Sequence, residues 1–139
     1  AFFLEVDPKA NAPIKDAGVV VRKLKSKYEL GAMSNGSREL QVQKLESIGL
    51  KDSFRVIILS EEIGIRKPEY GIFKAAASSF NLSLEECMYV GNLYETDIIG
   101  AKNAGMKACW LNKRNKEPIN EEIKPDFVIQ NLNELLYLM

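Results

Sequence analysis

At 139 residues the chain fits one domain, and folding at that size buries roughly two-thirds of the surface that the unfolded chain exposes. Nineteen basic residues balance nineteen acidic ones, and neither sign gathers into a run, so the electrostatic footprint of a nucleic-acid or membrane-surface binder is missing. The chain has no histidine, which removes the commonest general base and the commonest transition-metal ligand together. Chemistry here falls to carboxylates, lysine, hydroxyls or a hard, oxygen-ligated cation.

The opening, FFLEVD, reads two ways. An apolar run entering Glu5 and Asp7 suits a strand that carries acids to an active edge, and it suits equally a linker leading into the helix beyond Pro13. After it, KDAGVVVRKLKSKY sets Ala17, Val20, Val21 and Leu24 at helical spacing, with basic residues towards its end. ELGAM is a short buried strand ending at Ser34. SRELQVQKLESIGL puts Leu40, Leu45 and Ile48 on one helical stripe and stops at Gly49, and RVIILS is a β-branched run of strand length.

A second cycle repeats the first. PEYGIFKAAASSFNL enters a helix at Pro68, where the missing N–H costs nothing. SLEE has the form of a capping box before the strand CMYV. ETDIIGAKNAGM is helical up to Gly105, KACWL and DFVI are strands, and NLNELLYL closes as a helix. Strands separated by helical stretches imply parallel pairing through right-handed crossovers, hence an α/β fold: a three-layer Rossmann-like sandwich with a mostly parallel sheet. Cys87 and Cys109 lie in apolar stretches without the spacing of a zinc site, so they read as buried thiols in a reducing, cytoplasmic setting. No apolar run reaches the roughly 18 residues of a membrane span.

Ligands of such sheets bind at the carboxyl ends of the strands, and three polar clusters stand there. SNGS follows ELGAM and offers the Ser34 hydroxyl with the backbone N–H groups of Asn35 and Gly36, a cradle for an oxyanion. SEEIGIRKPE follows RVIILS and brings Lys67, aimed by Pro68. GNLYETD follows CMYV and supplies Asn92 and Asp97, oxygen donors suited to Mg²⁺. Each also has a plain structural explanation as a helix cap, a solvated lysine or an acid at a helix start.

In this order, and from Pro13 onward, the clusters resemble the core domain of the haloacid dehalogenase-like hydrolase superfamily. LGAMSNG is similar to its second motif, SEEIGIRKPEYGIF to its third and YVGNLYETDIIGAKNAGM to its fourth. The resemblance implies phosphoryl transfer from a small-molecule phosphate ester to an Asp on the first strand, and then to water, with a second Asp two residues on assisting. It further implies catalytic roles for Ser34, Lys67 and Asp97, phosphate binding by Ser34, Asn35, Gly36 and Lys67, and Mg²⁺ held by Asn92 and Asp97.

Two departures shape the expectations. Asn92 stands where the family usually has Asp, which predicts a weaker metal site. The first motif, Asp-x-Asp followed by Gly-Thr, is absent; Glu5 and Asp7 are at most its remnant, because DPKAN does not continue it and Glu reaches one methylene too far. Residues 1–12 are therefore taken as a cap-to-core linker, or else a degenerate first strand, with the core domain at residues 13–139. The chain is expected to be the inactive C-terminal part of a phosphatase, with a sheet flank open to self-association where its first strand is missing. Alternatives are a 2-haloacid dehalogenase, to which GNLYETD is the poorer match, and a non-catalytic binding module.

Overall fold

The computed structural model describes residues 1–5, 17–35, 38–47, 49, 51–118 and 122–138. Six strands form one sheet in the order β3-β2-β1-β4-β5-β6. They are β1 (Phe2–Glu5), β2 (Leu30–Ser34), β3 (Val56–Leu59), β4 (Met88–Gly91), β5 (Lys107–Leu111) and β6 (Phe127–Ile129). Every pairing is parallel, as the strand–helix alternation requires.

Alternation along the strands splits the core in two. Phe2, Leu4, Leu30, Ala32, Met88, Val90 and Cys109 face one layer, built from α1 (Ala17–Lys25), α2 (Arg38–Ser47) and the closing 3₁₀ segment Leu132–Tyr137. Phe3, Met33, Tyr89, Ala108 and Trp110 face the other, where α4 (Tyr70–Ser79) packs beside α5 (Gly100–Ala104) and the π-helical turn before it, Tyr94–Ile99. The short α3 (Ser60–Ile63) follows β3 directly. Among the described residues no helix is long and apolar enough to cross a membrane. Both cysteines are buried and unbridged, and burial pushes the Cys109 thiol up to about 12.

The linker reading of the opening is corrected for Phe2–Glu5. These residues form the middle of the sheet, with Phe3 opposite Gly31 on one side and Tyr89 on the other. Their three described apolar side chains are buried, Phe3 completely. The reason is local fit: the Phe3 ring lies over Gly31, where any Cβ would stand 2.4 Å from it. With β1 in place the flank between β2 and β4 is filled, and the argument for self-association through it lapses. Asp7 and the rest of residues 6–16 lie outside the described residues.

Helix faces depart from expectation in one place. Leu40 is exposed while Gln41, its neighbour, is fully buried together with Leu45; Ile48 lies outside the described residues. Gln41 and Leu45 are four apart and share a face, so the buried stripe runs through a polar residue that an apolar template passes over. Helix α4 begins two residues after Pro68, and Ser83 and Asn131 close capping boxes with Glu86 and Glu134.

If Phe2–Glu5 is a central strand, Phe3→Ala should cost about 3–5 kcal/mol in urea unfolding. A linker residue would cost under about 0.5 kcal/mol. Gly31→Ala should destabilise the wild type yet harm the Phe3→Ala variant less, because the ring it strikes is gone.

Candidate active site

Strands β2, β3 and β4 end on the same edge, and the segments after them converge. The Asn35 side chain clasps the Lys67 backbone: Lys67 N–H donates to Asn35 Oδ1 at 2.9 Å, and Asn35 Nδ2 donates to the Lys67 carbonyl at 3.4 Å. This clasp ties the end of β2 to the β3–α4 connection and points the lysine inward. Asn35 was expected to serve an anion through its backbone N–H; its side chain is committed to Lys67.

The Lys67 side chain is almost fully buried. Its Nζ lies 2.6 Å from Asp97 Oδ1 and 3.0 Å from the Tyr89 hydroxyl. Burial pulls the Lys67 ammonium down from its ordinary value, and the Asp97 carboxylate opposes that pull. Tyr89, wholly buried beside this pair, is pushed well up, chiefly by burial and further by the Asp97 charge.

Asp97 has no solvent exposure and is saturated. Its Oδ1 takes Lys67 Nζ and the Thr96 hydroxyl at 3.3 Å, and its Oδ2 takes the backbone N–H groups of Asn92 and Leu93 at 3.1 and 3.0 Å. The turn it grips is held from behind, since Trp110 Nε1 donates to the Asn92 carbonyl at 3.1 Å. Trp110 stacks edge-on with Tyr94, whose hydroxyl donates to the Ile123 carbonyl. Gly91 is obligatory here: a Cβ would meet Asp97 at 2.4–2.6 Å.

Ser34 ends β2, is 1% exposed, and its hydroxyl has no hydrogen-bond partner. The Gln41 amide is equally buried and equally unpaired. On the rim Arg38 pairs twice with Glu62, both contacts 2.8 Å. Glu5 ends β1 opposite Met33, which places its backbone at this same edge; its side chain, like Gly36 and Asp7, lies outside the described residues.

Thus Ser34, Asn35, Lys67, Asn92 and Asp97 do come together, as their order along the chain implied. Tyr89, Thr96, Trp110, Gly91 and Gln41 were not anticipated. Tyr89 had a usable signal, since it alternates with Val90 on the strand that leads to Asn92. The described residues do not fit Mg²⁺ as they stand. Asp97 has no lone pair to spare, the Asn92 amide oxygen is neutral, and no group of three or more Asp, Glu, His or Cys suited to a metal occurs among the described residues.

Comparison with known proteins gives consistent matches. The family described as haloacid dehalogenase-like hydrolase matches residues 5–111. The chain is 33% identical to the pyrimidine 5'-nucleotidase YjjG of Escherichia coli, over 99% of this chain and 61% of that protein. It is 38% identical to a glyceraldehyde 3-phosphate phosphatase of Methanopyrus kandleri, over 78% of this chain and 48% of that one. Among solved structures, the magnesium-bound hydrolase YfnB of Bacillus subtilis superposes with a TM-score of 0.84 at 30% identity, over 90% of this chain and 55% of its own. A 2-haloacid dehalogenase of Pseudomonas syringae superposes at 0.82 and 28% identity, over 91% and 53%. The chain spans roughly half to three-fifths of the curated relatives it matches.

Two substitutions test the packing of this edge. Gly91→Ala should cost more than about 2 kcal/mol in chemical unfolding, because overpacking here pushes on a buried ion pair. Gln41→Leu should raise stability by about 1 kcal/mol, since an unpaired buried amide is replaced by an apolar group of similar size.

Proposed function

The chain belongs to the haloacid dehalogenase-like hydrolase family, and from that premise we propose that it is the core of a phosphatase acting on small phosphorylated metabolites. The observation that carries this reading is a buried, unpaired Ser34 hydroxyl at the edge where Lys67 is held ready by Asp97. An unpaired buried hydroxyl costs stability, and a phosphoryl oxygen is the partner that would satisfy it.

The chemistry follows from charge. A carboxylate oxygen bonds to phosphorus while the ester oxygen leaves with its electron pair and takes up a proton from the second, assisting carboxylic acid that the resemblance implies. Water then attacks phosphorus and gives a proton back to that second carboxylate, the oxygen–phosphorus bond to the first carboxylate breaks, and inorganic phosphate departs. Through both steps the Ser34 O–H and the Asn35 backbone N–H donate to phosphoryl oxygens. The Lys67 ammonium balances charge that spreads over them, in a site where low dielectric strengthens each contact. Mg²⁺, which the family resemblance implies and which the YfnB structure contains, would need carboxylates from outside the described residues.

The attacking carboxylate decides whether the chain works alone. Glu5 has the place in the sheet but a side chain one methylene longer than Asp, and the Gly-Thr continuation is missing. By itself the chain is therefore expected to bind phosphate without turnover. Turnover by this chain that disappears in Glu5→Gln would overturn that expectation and assign Glu5 as the nucleophile.

Inorganic phosphate should bind the chain in calorimetric titration, and Ser34→Ala should weaken it about tenfold. The natural protein, given a panel of phosphate esters and 2-haloacids, should release phosphate. Release of halide instead would assign a dehalogenase, the activity named for the Pseudomonas syringae neighbour; retained phosphate binding with no turnover would assign a binding module. Asn92→Asp should tighten Mg²⁺ at least tenfold through the added charge, and equal affinity in the two forms would refute the weakened-metal-site reading.

A further inference from the structure

We infer that Asp97 is a positioning residue, which fixes Lys67 and the Asn92–Leu93 turn, and is not a ligand of any divalent cation bound at this edge. The family resemblance would make it a metal ligand, so the geometry argues against an expectation rather than from one. Only the anion arm of the test below rests on the phosphatase reading.

A carboxylate offers about four lone-pair directions. In Asp97 all four are engaged: Lys67 and Thr96 on Oδ1, the N–H groups of Asn92 and Leu93 on Oδ2. A cation such as Mg²⁺ binds carboxylate oxygen at about 2.0–2.1 Å and demands near-octahedral surroundings. At Oδ1 it would lie within a few ångström of the Lys67 ammonium, a like-charge contact in a water-poor interior. At Oδ2 it would have to displace two backbone donors that are then left buried without partners.

Nor is there room for the carboxylate to swing away. Gly91 lies against it so closely that even a methyl group would collide, and Trp110 pins the turn through the Asn92 carbonyl. Everything around Asp97 treats it as an internal anion whose partners are all protein. Its negative charge offsets the desolvation of Lys67, so that an ammonium is retained where an anionic ligand would need it. Asn92 fits the same picture, for it meets Asp97 through its backbone N–H, which leaves its side chain, not that of Asp97, as the oxygen donor pointing outward from this turn.

The test uses manganese as the cation probe and inorganic phosphate as the anion probe. Asn92→Asp supplies a fresh carboxylate on the turn. Crystals of Asn92→Asp soaked in Mn²⁺ should give an anomalous-scattering peak bonded to the new carboxylate and to neither Asp97 oxygen, and crystals of the wild type are soaked in parallel. A peak bonded to an Asp97 oxygen overturns the inference, and a peak elsewhere or none upholds it.

Positioning through Lys67 has its own readout. Asp97→Asn should weaken phosphate about tenfold when Lys67 is present and have no further effect in a Lys67→Met background; equal losses in both backgrounds would overturn the positioning role. Failure of the wild type to bind phosphate at all would count against the phosphatase reading and leave the manganese arm to judge Asp97.

Discussion

The buried ion pair between Lys67 and Asp97 is the constraint around which the edge of the sheet is organised. Taking two charges out of water costs several kcal/mol per ion, and their attraction repays that only when the geometry is close and the remaining hydrogen-bonding capacity is filled. Both conditions are met: the contact is 2.6 Å, and Tyr89, Thr96 and two backbone N–H groups complete the shell. Gly91 is small because Asp97 must lie against it. The chain turns through a π-helical segment at Tyr94–Ile99 with Asp97 inside it, a rare conformation that is frequent at functional sites. The Asn35 clasp then fixes the other member of the pair from the neighbouring strand.

That arrangement requires a complete sheet beneath it. The second and fourth strands, which deliver Ser34 and Asn92, do not touch one another; each pairs with β1. Phe2 and Leu4 enter one core and Phe3 the other, so four residues lock together two layers that otherwise share only the sheet. The register across β1 therefore sets how far apart the Ser34 and Asn92 turns stand. A slip by one residue would reverse every side chain of the strand and drive Phe3 away from the space over Gly31.

Much of this was legible in sequence, for reasons that can be named. The parallel sheet followed from β-branched and apolar runs separated by helical periods, and the edge carrying Ser34, Lys67 and Asp97 followed from where polar residues interrupt strand ends. Two features were not legible. The opening strand was hidden because its evidence is tertiary: a phenylalanine opposite a glycine, 28 residues apart in pairing register, leaves no local pattern, while the DPKAN that follows argued for a linker. The buried face of α2 was hidden because Gln41 occupies an inward position that apolar counting assigns to Leu40. Partner choice by Asp97 was equally out of reach, since a carboxylate five residues after Asn92 looks the same whether it grips a cation or a lysine.

Gln41 and Ser34 carry the last step. Both are buried, polar and unpaired, one on the inward face of α2 and the other at the end of the strand that leads into it. Each unmet polar group of this kind costs on the order of 1–3 kcal/mol against a satisfied or apolar alternative. Around the Asp97 carboxylate, by contrast, both oxygens are fully partnered. A fold able to satisfy a buried carboxylate completely is not short of the means to satisfy a hydroxyl and an amide. The contrast separates the surroundings of Asp97, where hydrogen bonding is complete and Lys67 is fixed, from Ser34 and Gln41, whose buried polar atoms are left without a protein partner.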